Sequence, residues 1–264
     1  MNKRILLGAV PVIPLFAGSC AGDPVASVPE NARPNVIFIF SDDLGIGDLS
    51  CYGATKVATP NIDRLAAQGQ RFINAYATSA TSTPSRFGLL TGMYPWRLPN
   101  TQIAPGNSEL IIDTECHTLA DAMHDAGYVT GAVGKWHLGL GPVGGTDFNV
   151  EIRPDARDIG FDYEYLIPAT VDRVPCVFVE NGHVVGLDPA DPITVNYDHK
   201  VGDWPTGSEN PELLKLRPSH GHDNTIVNGI SRIGWMTGGR SALWIDEGIA
   251  DTIALKATQF IVRH

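Results

Sequence analysis

The pattern of apolar and polar positions predicts a chain in which strands and capped helices alternate. Residues 36–40 are continuously apolar and rich in β-branched and aromatic types, which is typical of a strand buried on both faces. A second strand is predicted at 128–133, after a helix over 118–126 that ends at Gly127. Helical periodicity returns over 246–264. These elements predict an α/β fold, with a mostly parallel sheet sandwiched by helices.

Turn-forming residues dominate the part of the chain between the second strand and the last helix. Residues 140–225 are rich in Gly and Pro and are predicted to be loops, with a hairpin around Asn181-Gly182. The following segment, 226–239, is also predicted to be loop-like. Its neighbour, His222-Asp223-Asn224, carries metal-ligating residue types, but a loop beside a substrate pocket is the favoured interpretation.

Composition and charge limit the classes of function. The 264 residues, 43% of them hydrophobic, are enough to bury one sizeable core, and the formal net charge of −10 argues against nucleic acid as a partner. Three cysteines lie beyond the first 20 residues, and an odd number does not form a disulfide framework. Because none of them has metal-ligand spacing, we interpret them as structural thiols: Cys51, Cys116 and Cys176.

The N-terminus has the pattern of an export signal. Residues 1–20 begin with basic side chains and continue with an apolar run that is too short to span a membrane. Small residues precede Cys20 as in a bacterial lipobox, although Ala17 stands where Leu is usual, so we expect lipidation of Cys20, with plain cleavage as the alternative. Residues 21–33 are then a flexible tether, and 34–264 form the folded part. The predicted location is the bacterial periplasm or the outer membrane.

Residues 82–92, S-T-P-S-R-F-G-L-L-T-G, are the most informative stretch for chemistry. They predict a helix start at which Ser82 faces the positive end of the helix dipole. Arg86 lies one turn later on the same face. A hydroxyl, a helix N-terminus and a guanidinium together suit a tetrahedral oxyanion. Taken alone, the same five residues are also an ordinary capped helix start.

Two further groups of polar residues follow the predicted strands. Asp42 and Asp43 come at the end of the first strand, where open α/β sheets bind ligands, and paired carboxylates suit Ca²⁺ or, less well, Mg²⁺. A solvated turn is the alternative there. Lys135 and His137 follow the second strand, and an extended backbone places both side chains on one face. Lysine binds oxyanions and histidine transfers protons.

In this order, the Asp-Asp pair, Ser-x-Pro-x-Arg and Gly-Lys-Trp-His resemble the type I sulfatases of the alkaline phosphatase superfamily. The resemblance runs from about residue 34 to the C-terminus. It implies a sulfuric ester hydrolase in which a radical S-adenosylmethionine maturase converts Ser82 to formylglycine. It also implies a Ca²⁺ ion bound by Asp42, Asp43 and residue 82.

The resemblance assigns further roles residue by residue. Arg86 stabilises the hydrated aldehyde, Lys135 binds sulfate oxygens and His137 assists proton transfer. The substrate implied is a sulfated glycan or an aryl sulfate. Thr170, Asp172 and Arg173 are candidate substrate contacts, because their segment resembles the part of the family's chain that returns to the pocket. The alternative is a surface turn that holds an ion pair.

The sequence is also compatible with two other functions. One is a phosphohydrolase of the same superfamily that uses unmodified Ser82. The other is an inactive, truncated lipoprotein that binds sulfated glycan. In the family, the helix that resembles 246–264 leads into another strand and a second metal-binding pair. We therefore expect the chain to be the N-terminal part of a longer enzyme, with the C-terminal part of the fold missing.

Overall fold

The computed structural model describes residues 33–219 and 221–264. The predicted signal peptide with Cys20, and the tether as far as residue 32, lie outside the described residues. No helix within the described ranges is long and apolar enough to cross a membrane. The described residues divide into two units, a first that ends at residue 59 and a second over 60–264.

The described part of the first unit has little regular structure. It contains two short 3₁₀ turns, Ile46–Asp48 and Ser50–Tyr52, and the Ser50 and Thr59 hydroxyls bond to each other at 2.8 Å. The strand predicted at 36–40 is wrong: this segment is not assigned to a strand, and Ile39 is 76% exposed. Apolar β-branched residues favour extended backbone, but a strand also requires a hydrogen-bonded neighbour, which composition does not supply.

The second unit carries the α-helices. They are α1 (Pro60–Gln68), α2 (Ser82–Thr91), α3 (Leu119–Asp125) and α4 (Ile249–Arg263). Thr118 caps α3 because its hydroxyl accepts from the backbone N–H of Ala120 and Asp121, while the Asp121 carboxylate accepts from the Thr118 N–H at 2.8 Å. The helix predicted over 118–126 is therefore confirmed. The last helix is confirmed as well, and begins after a 3₁₀ turn at Asp246–Gly248.

The main sheet has four strands in sequential order. These are β1 (Gly131–Lys135), β2 (Tyr163–Ile167), β3 (Val179–Glu180) and β4 (His183–Val184). The β1–β2 pair is parallel, and the other two pairs are antiparallel. The predicted α/β class is confirmed, but the described sheet is mixed rather than mostly parallel. One of the two antiparallel pairs, β3–β4, is the predicted hairpin, in which Asn181 (φ 47°) and Gly182 (φ 78°) both have the positive φ of a tight turn.

Two smaller strand pairs follow. β5 (Thr194–Asn196) pairs with β8 (Trp235–Thr237), and β6 (Ile226–Val227) pairs with β7 (Ile230–Ser231). The loop predicted over 226–239 is therefore wrong in part. Strands of two or three residues are too short to show a period of two, so the sequence pattern does not reveal them.

The sheet has a hydrophobic cluster on each face. Along β2, Leu166 contributes to a cluster with Phe87 of α2, whereas Tyr165 contributes to a cluster with Ile249 of α4. This is the alternation of a strand covered on both sides. The α4 helix packs closely on β1, since a Cβ atom added to Gly131 would lie 2.7 Å from the Phe260 ring. The sheet thus holds the end of β1 beside the start of α2.

Candidate active site

The start of α2 places Ser82 and Arg86 on one face. Thr81 has extended backbone (φ −122°, ψ 161°), so Ser82 is the first helical residue. One turn on, Arg86 Nε donates to Ser82 Oγ at 3.1 Å, as the i,i+4 spacing predicts. Arg86 Nη1 also donates to the backbone carbonyl of Lys135 at 2.7 Å. The guanidinium therefore joins the helix start to the end of β1. The helix ends at Gly92, which has left-handed backbone (φ 67°).

His137 completes the hydrogen bonding of Ser82. Its Nδ1 lies 2.9 Å from Ser82 Oγ, and its Nε2 lies 3.0 Å from the carbonyl oxygen of Ala104. A carbonyl oxygen only accepts, so Nε2 carries the hydrogen. In the neutral ring Nδ1 is then an acceptor, and the Ser82 hydroxyl donates to it. Ser82 Oγ thus accepts from Arg86 and donates to His137.

The His137 ring is held in its neutral form. The residue is 1% exposed, and burial lowers its pKa to about 4, with the positive charges of Lys135, Arg173 and Arg86 acting in the same direction. The hydrogen bond to Ala104 opposes this shift only in part. A neutral imidazole with an acceptor nitrogen aimed at a hydroxyl has the arrangement of a general base.

The predicted alternation of Lys135 and His137 requires an extended backbone, and β1 does not reach His137, so the placement of both side chains on one face stays a prediction. The strand β1 ends at Lys135, and His137 has a φ of 55°, which is rare for a residue other than glycine. The backbone N–H groups of Trp136 and His137 still donate to the carbonyls of Ile167 and Pro168, and the His137 side chain is buried. Lys135 contributes its carbonyl to Arg86, while the role of its ammonium group stays a prediction.

The predicted substrate contacts form one hydrogen-bonded turn after β2. The Thr170 hydroxyl donates to the Asp172 carboxylate, and Arg173 Nη1 donates to Thr170 Oγ1 at 3.0 Å. His222 Nε2 lies 3.4 Å from the other Asp172 oxygen. Burial alone would raise the pKa of Asp172, but the Thr170 hydrogen bond and the charges of Arg173 and His222 lower it below the usual value.

A buried arginine, Arg232, is hydrogen-bonded to this turn. Arg232 is 1% exposed, and its Nη1 donates to the carbonyl of Val171 at 2.5 Å. Its Nη2 lies 2.8 Å from each carboxylate oxygen of Asp246. The backbone N–H of Ile233 also donates to the Asp172 carbonyl at 2.8 Å. The turn is therefore anchored to the core by side-chain and backbone hydrogen bonds.

The predicted metal ligands are divided between the two units. Asp42 and Asp43 are exposed residues of the first unit, whereas Ser82 belongs to the second. Across 33–219 and 221–264, no three His, Cys, Asp or Glu side chains converge to hold an ion. Calcium takes six to eight oxygen ligands, so the described carboxylates fit only part of its coordination shell. We assign no chemical step to a metal on these residues.

The other residue types suited to metals have different partners. His222 Nδ1 lies 2.6 Å from Ser219 Oγ, and Asn224 Oδ1 accepts from the Gly234 N–H at 2.9 Å. The three cysteines form no disulfide among the described residues, and Cys176 is fully buried.

Two contacts of the site could not be found by sequence reasoning. Thr83 donates to the His137 carbonyl at 2.8 Å, and the Ala104 carbonyl accepts from His137. Thr83 falls at a position of the motif that carries no obvious chemistry, and Ala104 acts through its backbone alone. Neither leaves a signal in residue type or spacing.

Comparison with known proteins decides the family. The family model described as Sulfatase matches residues 34–165, which is half of the chain. The chain belongs to the sulfatase family. Its two motifs within the matched range, Ser-x-Pro-x-Arg and Gly-Lys-Trp-His, are those that supply Ser82, Arg86 and His137.

Individual members of the sulfatase family match the chain over different lengths. An N-acetylgalactosamine-6-O-sulfatase of Bacteroides thetaiotaomicron is 73% identical over 263 residues, covering 100% of this chain and 52% of that protein. Human arylsulfatase A is 41% identical over 146 residues, covering 54% of this chain and 27% of that protein. The chain therefore spans about half the length, or less, of these relatives.

A solved structure of a sulfatase confirms the fold. It comes from a study of the metabolism of multiple glycosaminoglycans by Bacteroides thetaiotaomicron, and superposes with a TM-score of 0.87 at 79% identity. The match covers 88% of this chain and 48% of that one.

Proposed function

We propose that the protein is a sulfuric ester hydrolase that removes sulfate from a sulfated carbohydrate through formylglycine formed at Ser82. The observation that carries the proposal is the position of Ser82 Oγ between Arg86 Nε at 3.1 Å and His137 Nδ1 at 2.9 Å. The 73% identity to an N-acetylgalactosamine-6-O-sulfatase supports a 6-O-sulfated amino sugar over an aryl sulfate as the substrate.

The surroundings of Ser82 suit the modified residue. The oxygen at this position already has one cationic donor and one imidazole acceptor, which are the partners that a hydrated aldehyde requires. When formed, that group supplies a geminal diol, with one hydroxyl to attack sulfur and one to release the sulfate afterwards. The residues that surround it then determine how its protons are held.

Each side chain has a role that follows from its contacts. His137 accepts the proton of the hydroxyl at Nδ1, because Ala104 holds the ring hydrogen on Nε2. Arg86 stabilises negative charge on the oxygen that loses this proton. Lys135 and Arg173 contribute positive charge around His137, which favours an anionic sulfate group.

We propose that the turn after β2 contacts the sugar. Thr170, Asp172 and Arg173 are already bonded to one another, so they present a fixed set of polar groups. A preorganised turn loses little entropy when a substrate binds. Replacing Asp172 with Asn should raise KM for the sulfated sugar more than it lowers kcat. A KM equal to that of the protein with Asp172 would contradict this role.

Calcium dependence is a further part of the proposal. Asp42 and Asp43 are adjacent carboxylates, and Ca²⁺ is bound in proteins by oxygen ligands of this type. Mg²⁺ is the less favoured ion. Further oxygen ligands are required in addition to these two side chains. Calorimetric titration with Ca²⁺ should give binding that the D42N/D43N double variant lacks. Equal binding by both proteins would exclude these residues as ligands.

Export and lipid anchoring are also proposed, on the sequence of residues 1–20. The protein is then a lipoprotein of the periplasm or outer membrane, attached through Cys20. Labelling of cells with a palmitate analogue should mark the protein but not its C20A variant. Labelling of both proteins would refute attachment at this residue.

A second candidate function is favoured by one observation. The 2.9 Å contact between Ser82 Oγ and His137 Nδ1 also suits an unmodified serine nucleophile with a histidine base, as a phosphohydrolase would use. A third candidate is a glycan-binding lipoprotein without activity. The three functions differ in what they require of Ser82.

One experiment separates these candidates. Release of sulfate and phosphate is measured with N-acetylgalactosamine 6-sulfate and 6-phosphate, with and without coexpression of a radical S-adenosylmethionine maturase. We expect sulfate release that requires the maturase and is absent from the S82A variant. Phosphate release without the maturase would favour the phosphohydrolase. Sugar binding without any turnover would favour the binding protein.

A further inference from the structure

We propose that Thr83 is a positioning residue that fixes the tautomer and orientation of His137. The proposal rests on the proposed role of His137 as the proton acceptor for residue 82. Thr83 does not contact residue 82 through its side chain in any described hydrogen bond. It acts instead on the two groups that hold the imidazole.

The Thr83 hydroxyl joins both supports of the histidine. The residue is 0% exposed, and its Oγ1 donates to the backbone carbonyl of His137 at 2.8 Å. The same oxygen accepts from the backbone N–H of Ala104 at 3.2 Å. The carbonyl of Ala104 in turn accepts from His137 Nε2 at 3.0 Å. One hydroxyl thus connects the backbone of His137 to the residue that binds its ring.

The backbone of His137 needs such support. Its φ of 55° is unfavourable for a residue with a Cβ atom, and conformations of this kind persist only where the surroundings hold them. The N–H of His137 donates to the Pro168 carbonyl at 3.1 Å, which anchors one side of the residue. The Thr83 hydroxyl anchors the carbonyl on the other side.

The tautomer depends on the same arrangement. If Ala104 moves away, no other hydrogen bond among the described residues selects Nε2 over Nδ1 as the nitrogen that carries the hydrogen. A hydrogen on Nδ1 would point at Ser82 Oγ and remove the acceptor that a base requires. Loss of the Thr83 hydroxyl should therefore reduce the rate of reaction more than the affinity for substrate.

Substitution with valine tests the hydroxyl separately from the volume of the side chain. T83V keeps the branched shape but leaves the Ala104 N–H and the His137 carbonyl without their partner, whereas T83S keeps the hydroxyl. Thr225 provides a matched control. It is 1% exposed, and its hydroxyl accepts from the Met236 N–H at 3.0 Å, outside the hydrogen bonds that hold His137.

The first measurement is the imidazole ¹⁵N spectrum of His137 in the full 264-residue chain. We expect a single neutral tautomer with hydrogen on Nε2 in the unsubstituted protein, in T83S and in T225V, and mixed tautomers in T83V. The second measurement is steady-state turnover of the sulfated sugar. T83V should lower kcat by about tenfold or more, with little change in KM, since a lost positioning hydrogen bond corresponds to roughly this factor.

The outcomes distinguish this inference from the proposed function. A change of tautomer in T83V supports the positioning role even if the unsubstituted protein releases no sulfate. A folded T83V with the original tautomer and the original kcat would overturn it. If T83V does not fold, T83A removes the same hydroxyl without placing a methyl group against the two backbone groups, and an unchanged tautomer and rate in that variant would overturn it equally.

Discussion

Replacing Arg232 with methionine tests how the proposed substrate turn is held. The guanidinium is 1% exposed and bonds both oxygens of the Asp246 carboxylate at 2.8 Å, as well as the carbonyls of Val171 and Val227. Methionine fills most of the volume but removes every one of these donors. The variant R232M thus leaves the carbonyls of Val171 and Val227 without the donors that Arg232 provides, and leaves the Asp246 carboxylate with only the Asn228 amide, at 3.2 Å, as a described side-chain donor.

The expected loss of stability follows from this burial. The Asp246 side chain is only 15% exposed, so its charge remains in a poorly solvated position when Arg232 is removed. Breaking a buried ion pair from one side costs about 3–5 kcal/mol of unfolding free energy. Because domains unfold with about 5–15 kcal/mol, R232M should lose a large fraction of its stability.

Urea denaturation followed by tryptophan fluorescence measures this loss. Trp204 and Trp244 lie in the hydrophobic cluster beside α4 and report on its unfolding. The control is K215M, which removes an ion pair with Glu247 at 3.4 Å whose side chains are 58% and 69% exposed. Such surface pairs contribute little to stability, because water screens the two charges, so K215M should unfold at nearly the same urea concentration as the unsubstituted protein.

Two results would refute the reasoning. One is a loss of less than about 1 kcal/mol in R232M, since that is the range of an exposed pair. The other is a sulfated-sugar KM that does not change in R232M, because release of the Val171 carbonyl should loosen the turn that carries Thr170 and Arg173.

The remaining predictions concern two buried groups with opposite pH dependence. Burial, together with the negative charge of Asp155, raises the pKa of Glu164 from 4.5 to about 7, so this residue costs stability as pH rises through that range. Burial lowers the pKa of His137 from 6.5 to about 4. The folded protein with neutral His137 therefore has its full stability above pH 6.5 and loses stability as pH falls towards 4. Melting experiments from pH 4 to 8 compare each variant with the unsubstituted protein. Relative to that protein, E164Q should gain stability with rising pH and H137Q should lose it. Equal slopes of this difference against pH in the two variants would contradict the assignment. H137Q should also lower kcat by about 10²–10⁴, the range for a lost general base, and turnover close to that of the unsubstituted protein would exclude the role.

The elements that local sequence determines were predicted well. The Thr118 cap, the Gly127 end of α3 and the Asn181-Gly182 hairpin each depend on residues that are near one another in the chain. The i,i+4 contact of Ser82 with Arg86 has the same local origin. Capping and turn chemistry act over a few residues, so the sequence is sufficient to predict them.

The elements that depend on distant partners were predicted poorly. The apolar run at 36–40 was predicted to be a strand, yet it is not assigned to a strand and is exposed. The positive φ of His137 could not be predicted, because the residues that hold it, Thr83 and Ala104, are 54 and 33 residues away in the chain. Contacts of this kind involve backbone carbonyls, which every residue has, so no pattern of residue types marks them.

The most direct test of the account is the mass of the tryptic peptide that contains residue 82. Cleavage after Arg71 and Arg86 gives the peptide 72–86 from protein coexpressed with the serine-type maturase. Conversion of Ser82 to formylglycine removes two hydrogen atoms from this peptide, and fragmentation places the change at residue 82. The account predicts this loss in active protein and its absence from S82A. An intact serine in protein that hydrolyses the sulfated sugar at full rate would contradict it.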